Sequence, residues 1–143
     1  MLRVVVDTNI FVSAQLSRNG VPAQVLKAWR EHRFILLTSP AILAEVAETL
    51  AGFIGRAPYA VSQTEVDEVV ALLSTAAVQV PGSADVADAG IPDLDDLVFL
   101  ACAVDGAADF IASGDKHLKD LKAYRGMPIV TARELLDLLE RQT

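Results

Sequence analysis

Two hydrophobic patterns alternate along the chain: short uninterrupted apolar runs, and longer stretches in which apolar residues recur every three or four positions. The run "LRVVV" (2–6) is β-branched and continuous, which predicts a strand covered on both faces, at the centre of a sheet. "PAQVLKAWREH" (22–32) predicts a helix opened by Pro22, and "FILLT" (34–38) a second buried strand. Ser39 followed by Pro40 predicts a helix running to about Leu50, because serine caps well and proline is tolerated in a first turn. "SQTE" (62–65) and "TARE" (131–134) have capping-box form and mark two further helix starts. Between them lie "VQV" (78–80), a helix over about 93–105, the strand "DFIAS" (109–113), a short helix near 115–121 and "PIV" (128–130). Residues 51–61, with two glycines and a proline, read as a loop between two hairpin-like helices.

Alternation of this kind predicts an α/β fold with a mainly parallel sheet and helices on both of its faces. With 143 residues, 52% hydrophobic and 22% charged, the chain suits a single domain over 1–143 with one core. "MLRVVV" is too short for a signal-peptide core, and no apolar stretch reaches the roughly 18 residues of a membrane helix. Cys102, the one cysteine, sits inside "LVFLACAV" and reads as a small buried hydrophobe. A soluble cytoplasmic protein is expected. The formal net charge of −7, from 19 acidic and 12 basic residues, argues against a generic basic clamp on nucleic acid. A phosphate-bearing partner must therefore be met locally, by a cation or a small basic patch.

The acids are where the pattern is interrupted. Asp7 ends the first strand and Asp115 follows "DFIAS" within two residues, so both fall at the carboxyl edge of the sheet, where α/β folds bind ligands. Either could be a plain helix cap; together, at matching strand ends, they predict a site. On the helix from Ser39, the residues Ile42, Leu43, Val46 and Leu50 trace one apolar arc, with Glu45 roughly 110° from its centre and Glu48 nearly opposite. Glu48 should face water, while Glu45 can lean into a crevice. Asp93, Asp95 and Asp96 crowd the front of the apolar helix "PDLDDLVFLACAVD". The helix dipole favours acids there, but three exceed what capping requires. Helical phase does not distinguish which of them points inward.

Taken together, "VVVDTNIFVSA", "SPAILAEV", "PDLDDLVFLACA" and "ADFIASGDKHL", closed by "MPIVTARELLDLL", resemble a PIN domain over nearly the whole chain. The likeness is closest to the toxins of bacterial toxin–antitoxin pairs related to VapC. It implies a three-layer α/β/α fold and a metal-dependent ribonuclease acting on single-stranded RNA. Carried over by position, its four acids are Asp7, Glu45, Asp96 and Asp115. Asn9 matches a supporting polar residue, and Ser113 stands where the family more often has threonine, so a hydroxyl is kept. Asp93 and Asp95 are extra acids, open as outer or alternative ligands. The resemblance also implies a homodimer and a small antitoxin partner.

Elementary electrostatics gives such a site a reason to hold metal. Carboxylates gathered at about 5 Å repel one another by roughly 3 kcal/mol per pair at an effective dielectric near 20, and a divalent cation reverses that sign. Oxygen ligands suit Mg²⁺ or Mn²⁺, and His32 and His117, far apart with a single cysteine, form no zinc cluster; His117 reads as a helix-surface residue. The expected reaction is metal-assisted hydrolysis of an RNA phosphodiester, with Arg18, Lys116, Lys119 or Lys122 as rim contacts to neighbouring phosphates. The alternatives are a non-catalytic module binding a metal or a partner, and a phosphotransferase of the haloacid-dehalogenase type. The latter needs an acid two residues after the first, where this chain has Asn9.

Overall fold

A computed structural model describes residues 1–59 and 61–142, leaving Ala60, within the expected 51–61 connection, and Thr143 outside the described residues. Strand β1 (Arg3–Val6) leads into α1 (Thr8–Leu16) and α2 (Val21–Arg30), then β2 (Ile35–Thr38), α3 (Pro40–Ala51), α4 (Gln63–Ala76) and β3 (Val78–Gln79). The second half holds α5 (Leu94–Asp105), β4 (Phe110–Ala112), α6 (Lys116–Leu121), β5 (Ala123–Tyr124), β6 (Met127–Val130) and α7 (Ala132–Arg141). The six-stranded sheet has the order β3-β2-β1-β4-β6-β5 and is parallel except for β5, which pairs antiparallel with β6. This is the expected three-layer α/β/α architecture with a mainly parallel sheet, and β1 lies inside it, with Val4, Val5 and Val6 buried.

Topology sets the position of the crevice. The chain moves from β1 to β2 to β3 in one direction and then returns past β1 to β4 and β6 in the other. Parallel crossovers are right-handed, so the connections on the two sides of β1 leave on opposite faces of the sheet. The carboxyl ends of β1 and β4 therefore flank a switch point, the place where such sheets open a cleft. α5 packs across β1, β2 and β4 on its face, while α2 packs on both α1 and α7.

The predicted helix starts are observed. Ser39, Ser62 and Thr131 each accept a bond from the backbone amide three residues on. Only the last is a reciprocal capping box: Glu65 instead meets the Ser62 hydroxyl and Arg18, at 3.2 Å from the guanidinium. α1 is not foreshadowed by periodicity, because Ile10, Phe11, Val12 and Ala14 are all buried and the helix has apolar residues on most of its circumference. β5 is likewise new; its two residues turn back through Arg125 and Gly126, both at positive φ.

The segment after β3 is packed onto the start of α3. Gly82 has φ +68°, and a Cβ there would lie 2.9 Å from Ser39 Cβ. Gly82→Ala combines a left-handed backbone with a collision against the cap of α3, so its expected cost is about 2 kcal/mol. Equilibrium urea unfolding of the variant against the unaltered chain measures it; an unchanged midpoint would contradict this packing.

Candidate functional site

The aspartates reach the crevice at helix starts, whereas Glu45 arrives from the middle of α3. Asp7 follows β1 and caps α1, accepting from the Asn9 backbone amide at 3.1 Å. Asp115 follows β4 and caps α6, accepting from the amides of His117 and Leu118. Asp93 caps α5 through the Asp95 amide, and Asp95 and Asp96 occupy its first turn. Parallel strands deliver all three helix starts to the same edge of the sheet, where exposed amides and the helix dipoles favour negative charge.

Ser113 ties the two central strands together at this point. It is fully buried; its Oγ donates to Asp7 Oδ2 at 2.5 Å and accepts from the Asp115 amide at 2.9 Å. The backbone repeats the link, with the Asp7 amide donating to the Ala112 carbonyl, while the Ser113 amide donates to the Val130 carbonyl and ties the same point to β6. The hydroxyl that replaces the family's threonine thus holds one acid and positions the backbone of another.

Asp96 settles the ambiguity among the three acids of α5. It is 8% exposed, whereas Asp93 and Asp95 are exposed. Its Oδ2 is buried with no hydrogen-bond partner among the described residues. Burial pushes its carboxyl up to about 6, and the charges of Asp115, Asp93 and Asp7 add to the rise, which His117 partly offsets. Glu45 is half-buried on α3 and Glu48 exposed, as the helical phase predicts. Burial pushes Glu45 up to about 7, with Asp95, Asp7 and Asp96 adding to the rise. Asp7, 3% exposed, is raised by burial and by Asp115, while the Ser113 and Asn9 hydrogen bonds pull it down. The four expected acids thus share one electrostatic neighbourhood.

They do not form a closed coordination shell. Among the described residues, no three His, Cys, Asp or Glu side chains stand close enough together to hold a metal ion directly. What the crevice offers is an all-oxygen donor set containing one buried, unpartnered carboxylate oxygen, which fits a hard divalent cation better than it fits zinc or a soft metal. Asn9 departs from its expected role: its side chain is exposed, and its backbone amide makes the supporting bond. Thr8 was missed as a contributor. It is buried, its hydroxyl lacks a partner of full hydrogen-bond geometry, and it lies toward Glu45, lowering that carboxyl slightly. Its place next to Asp7 was the only signal in the sequence. His117 is exposed, and Cys102 is buried with its thiol pushed up to about 12 by burial, so neither sits as a nucleophile or inner ligand.

Beside the acids, a groove of about 490 Å³ opens between α3 and α5, lined by Ala44, Glu45, Glu48, Thr49, Asp95 and Val98.

The PIN domain family matches residues 3–117. Over 45 residues the chain is 42% identical to an uncharacterized protein of Methanocaldococcus jannaschii; that stretch covers 32% of this chain and 29% of the relative. The fold is similar to a chain in the crystal structure of VapBC2 from Rickettsia felis bound to a DNA fragment from their promoter. The TM-score is 0.61 at 17% identity, covering 91% of this chain and 98% of that one. No helix among the described residues is long and apolar enough to cross a membrane.

The raised carboxyls make a stability prediction whose sign is fixed. Between 3.8 and about 6 the unfolded chain has released the Asp96 proton that the folded chain still holds, so this group destabilises the fold progressively as pH rises. Asp96→Asn carries no such penalty. In EDTA its unfolding free energy should gain on the unaltered chain across that window, by about 3 kcal/mol, and level off above it. Urea melts at stepped pH test this; a gain that is flat with pH would contradict the burial of an uncompensated Asp96.

Proposed function

Because the chain belongs to the PIN domain family, we propose that it is a metal-dependent endoribonuclease hydrolysing single-stranded RNA, acting as the toxin of a toxin–antitoxin pair. The observation that carries this reading is the buried, unpartnered Asp96 carboxylate facing Asp7 and Asp115 at the switch point between β1 and β4. Asp7, Glu45 and Asp96 are raised with no lysine or arginine among the groups that shift them, and acids gathered this way are stable as a set only with a cation or with protons. Asp7, Asp96 and Asp115, with Glu45 beside them, would hold Mg²⁺ or Mn²⁺ partly through water, as Mg²⁺ commonly is held, since no three of these side chains stand close enough to ligate an ion directly. When bound, such an ion supplies positive charge at a phosphodiester and lowers the pKa of water at the site.

The chain's own groups prepare the site. Ser113 and the Asn9 amide orient the Asp7 carboxylate through bonds to its two oxygens. The amides of α6 fix Asp115 Oδ1. Glu45 can hold or release a proton close to neutral pH, which suits a group that moves protons at the rim of the crevice. Asp93 and Asp95 add negative charge around the entrance and are outer members of the set. Residues 1–143 act as one unit in this reading: β6 and α7, beyond the matched segment, complete the sheet and its helical layer. The likeness to VapBC2 supports a cognate antitoxin; a cytoplasmic site of action and a homodimer are expected with the toxin reading.

The test is hydrolysis of mixed single-stranded RNA by purified protein in Mg²⁺ or Mn²⁺. EDTA should abolish it, and Asp7→Asn, Asp96→Asn and Asp115→Asn should each lower the rate by about 100-fold or more. Full activity in EDTA or in Asp96→Asn would refute the reading. If the unaltered chain binds divalent ions without cleaving any RNA offered, the protein is a binding module. Ser113→Ala removes the link between Asp7 and Asp115 but no carboxylate, so a smaller loss, about 10-fold, is expected, together with weaker Mn²⁺ binding in titration calorimetry.

A further inference from the structure

The basic residues are distributed unevenly with respect to the crevice. No lysine or arginine occurs between Arg56 and Lys116, a stretch containing α4, β3, α5 and β4, and none occurs in α1 or α3. Of the helices that begin at the carboxyl edge of the sheet, α3 and α5 therefore bring only acids: Glu45, Glu48, Asp93, Asp95 and Asp96. Arg18 lies just beyond α1 and is ion-paired with Glu65. Most other cations sit at the opposite edge. Arg3 begins β1, Lys27 and Arg30 end α2, Arg33 precedes β2, Arg125 is in the turn before β6 and Arg141 ends α7.

One flank is different. Strands β4 and β6 are neighbours, so the helices that follow them, α6 and α7, start side by side at the carboxyl edge. Lys116 and Lys119 are exposed on α6, and Arg133 is exposed in the first turn of α7. Lys119 acts on Glu134, which places the two helix starts within electrostatic reach of each other. His117, between the lysines, acts on Asp96 from this side. The acids of this flank are Asp115, Asp120, Glu134 and Asp137; the Glu134 carboxylate accepts from the Thr131 amide and Asp115 from two α6 amides, so these two are turned onto backbone donors, while Asp120 and Asp137 are exposed beside the cations. Among the described residues, no hydrogen bond or ion pair holds the side chains of Lys116 or Arg133.

We propose that single-stranded RNA reaches the acidic crevice over the α6–α7 flank, its backbone phosphates meeting Lys116, Lys119 and Arg133, and not along the α3–α5 groove. This rests on the ribonuclease reading and adds a direction to it. The groove between α3 and α5 has room for a strand, but its walls carry Glu45, Glu48 and Asp95 without a cation. A polyanion entering there meets repulsion along its length, whereas on the α6–α7 side each phosphate contact releases condensed counterions and gains affinity.

The experiment compares two triple variants with the same change in charge. One is Lys116→Gln, Lys119→Gln, Arg133→Gln; the other, at the opposite edge, is Lys27→Gln, Arg30→Gln, Arg141→Gln. Binding of a fluorescent single-stranded RNA is measured in EDTA across a salt series, and cleavage is measured separately in Mn²⁺. The α6–α7 triple should lose about 10-fold or more in affinity at low salt, and its slope of log Kd against log salt should fall by about two. The control triple should keep the slope, and Lys116→Arg, Lys119→Arg should retain binding. Equal losses from both triples, or no RNA binding by the unaltered chain, would overturn the path. If the triples separate as expected but no protein cleaves RNA, the path stands and the nuclease reading falls. If cleavage is observed while the triples do not separate, the nuclease reading stands and the path falls.

Discussion

A parallel sheet obliges every helix that follows a strand to begin at the same edge, and a helix that begins needs acceptors for its free amides. Asp7, Asp93 and Asp115 meet that need for α1, α5 and α6. Capping and gathering of charge are therefore one event. Carboxylates that would repel in solution are each held by backbone amides and by the positive end of a helix. Capping, which the structure shows, does not compete with the proposed role of these aspartates as ligands, because the cap supplies the rigidity a ligand requires.

Asp96 is the exception that gives the arrangement its chemistry. It caps nothing, lies almost wholly buried, keeps one oxygen without a partner and faces three like charges. A core position would not carry such a residue, since an unpaired buried carboxylate is among the more expensive groups a fold can contain. Glu45 approaches from α3 under the same field and rises further. The tension is confined to one end of β1 and β4, where Ser113 locks the two strands in register, while the apolar interior beneath it is continuous.

Charge placement extends the same logic outward. An overall net charge of −7 says that the protein as a whole repels nucleic acid, yet repulsion is a local quantity. Because α3 and α5 carry no cation and α6 and α7 do, the rim of the crevice is asymmetric, and an approach route exists on one side.

By itself, the amino-acid sequence determined the alternation of strands and helices, the central place of β1, the capped starts at Ser39, Ser62 and Thr131, and the outward face of Glu48. These follow from periodicity and local hydrogen bonding, which act over a few residues. The resemblance to PIN domains, carried by the motifs around them, brought Asp7, Glu45, Asp96 and Asp115 forward as a set. The tertiary structure alone decided what depends on neighbours distant in the chain. Helix α1 has apolar residues nearly all round, so no period marks it. The β5 hairpin is too short to leave a pattern. Asp93, Asp95 and Asp96 are equivalent as first-turn acids until the packing of α5 across β1, β2 and β4 turns one of them inward. Asn9 contributes its backbone, and Ser113 joins two strands more than a hundred residues apart in sequence. The sheet order, which no local signal encodes, brought these groups to one point: burial and electrostatic fields are properties of what surrounds a residue, and the surroundings exist only once the chain has folded.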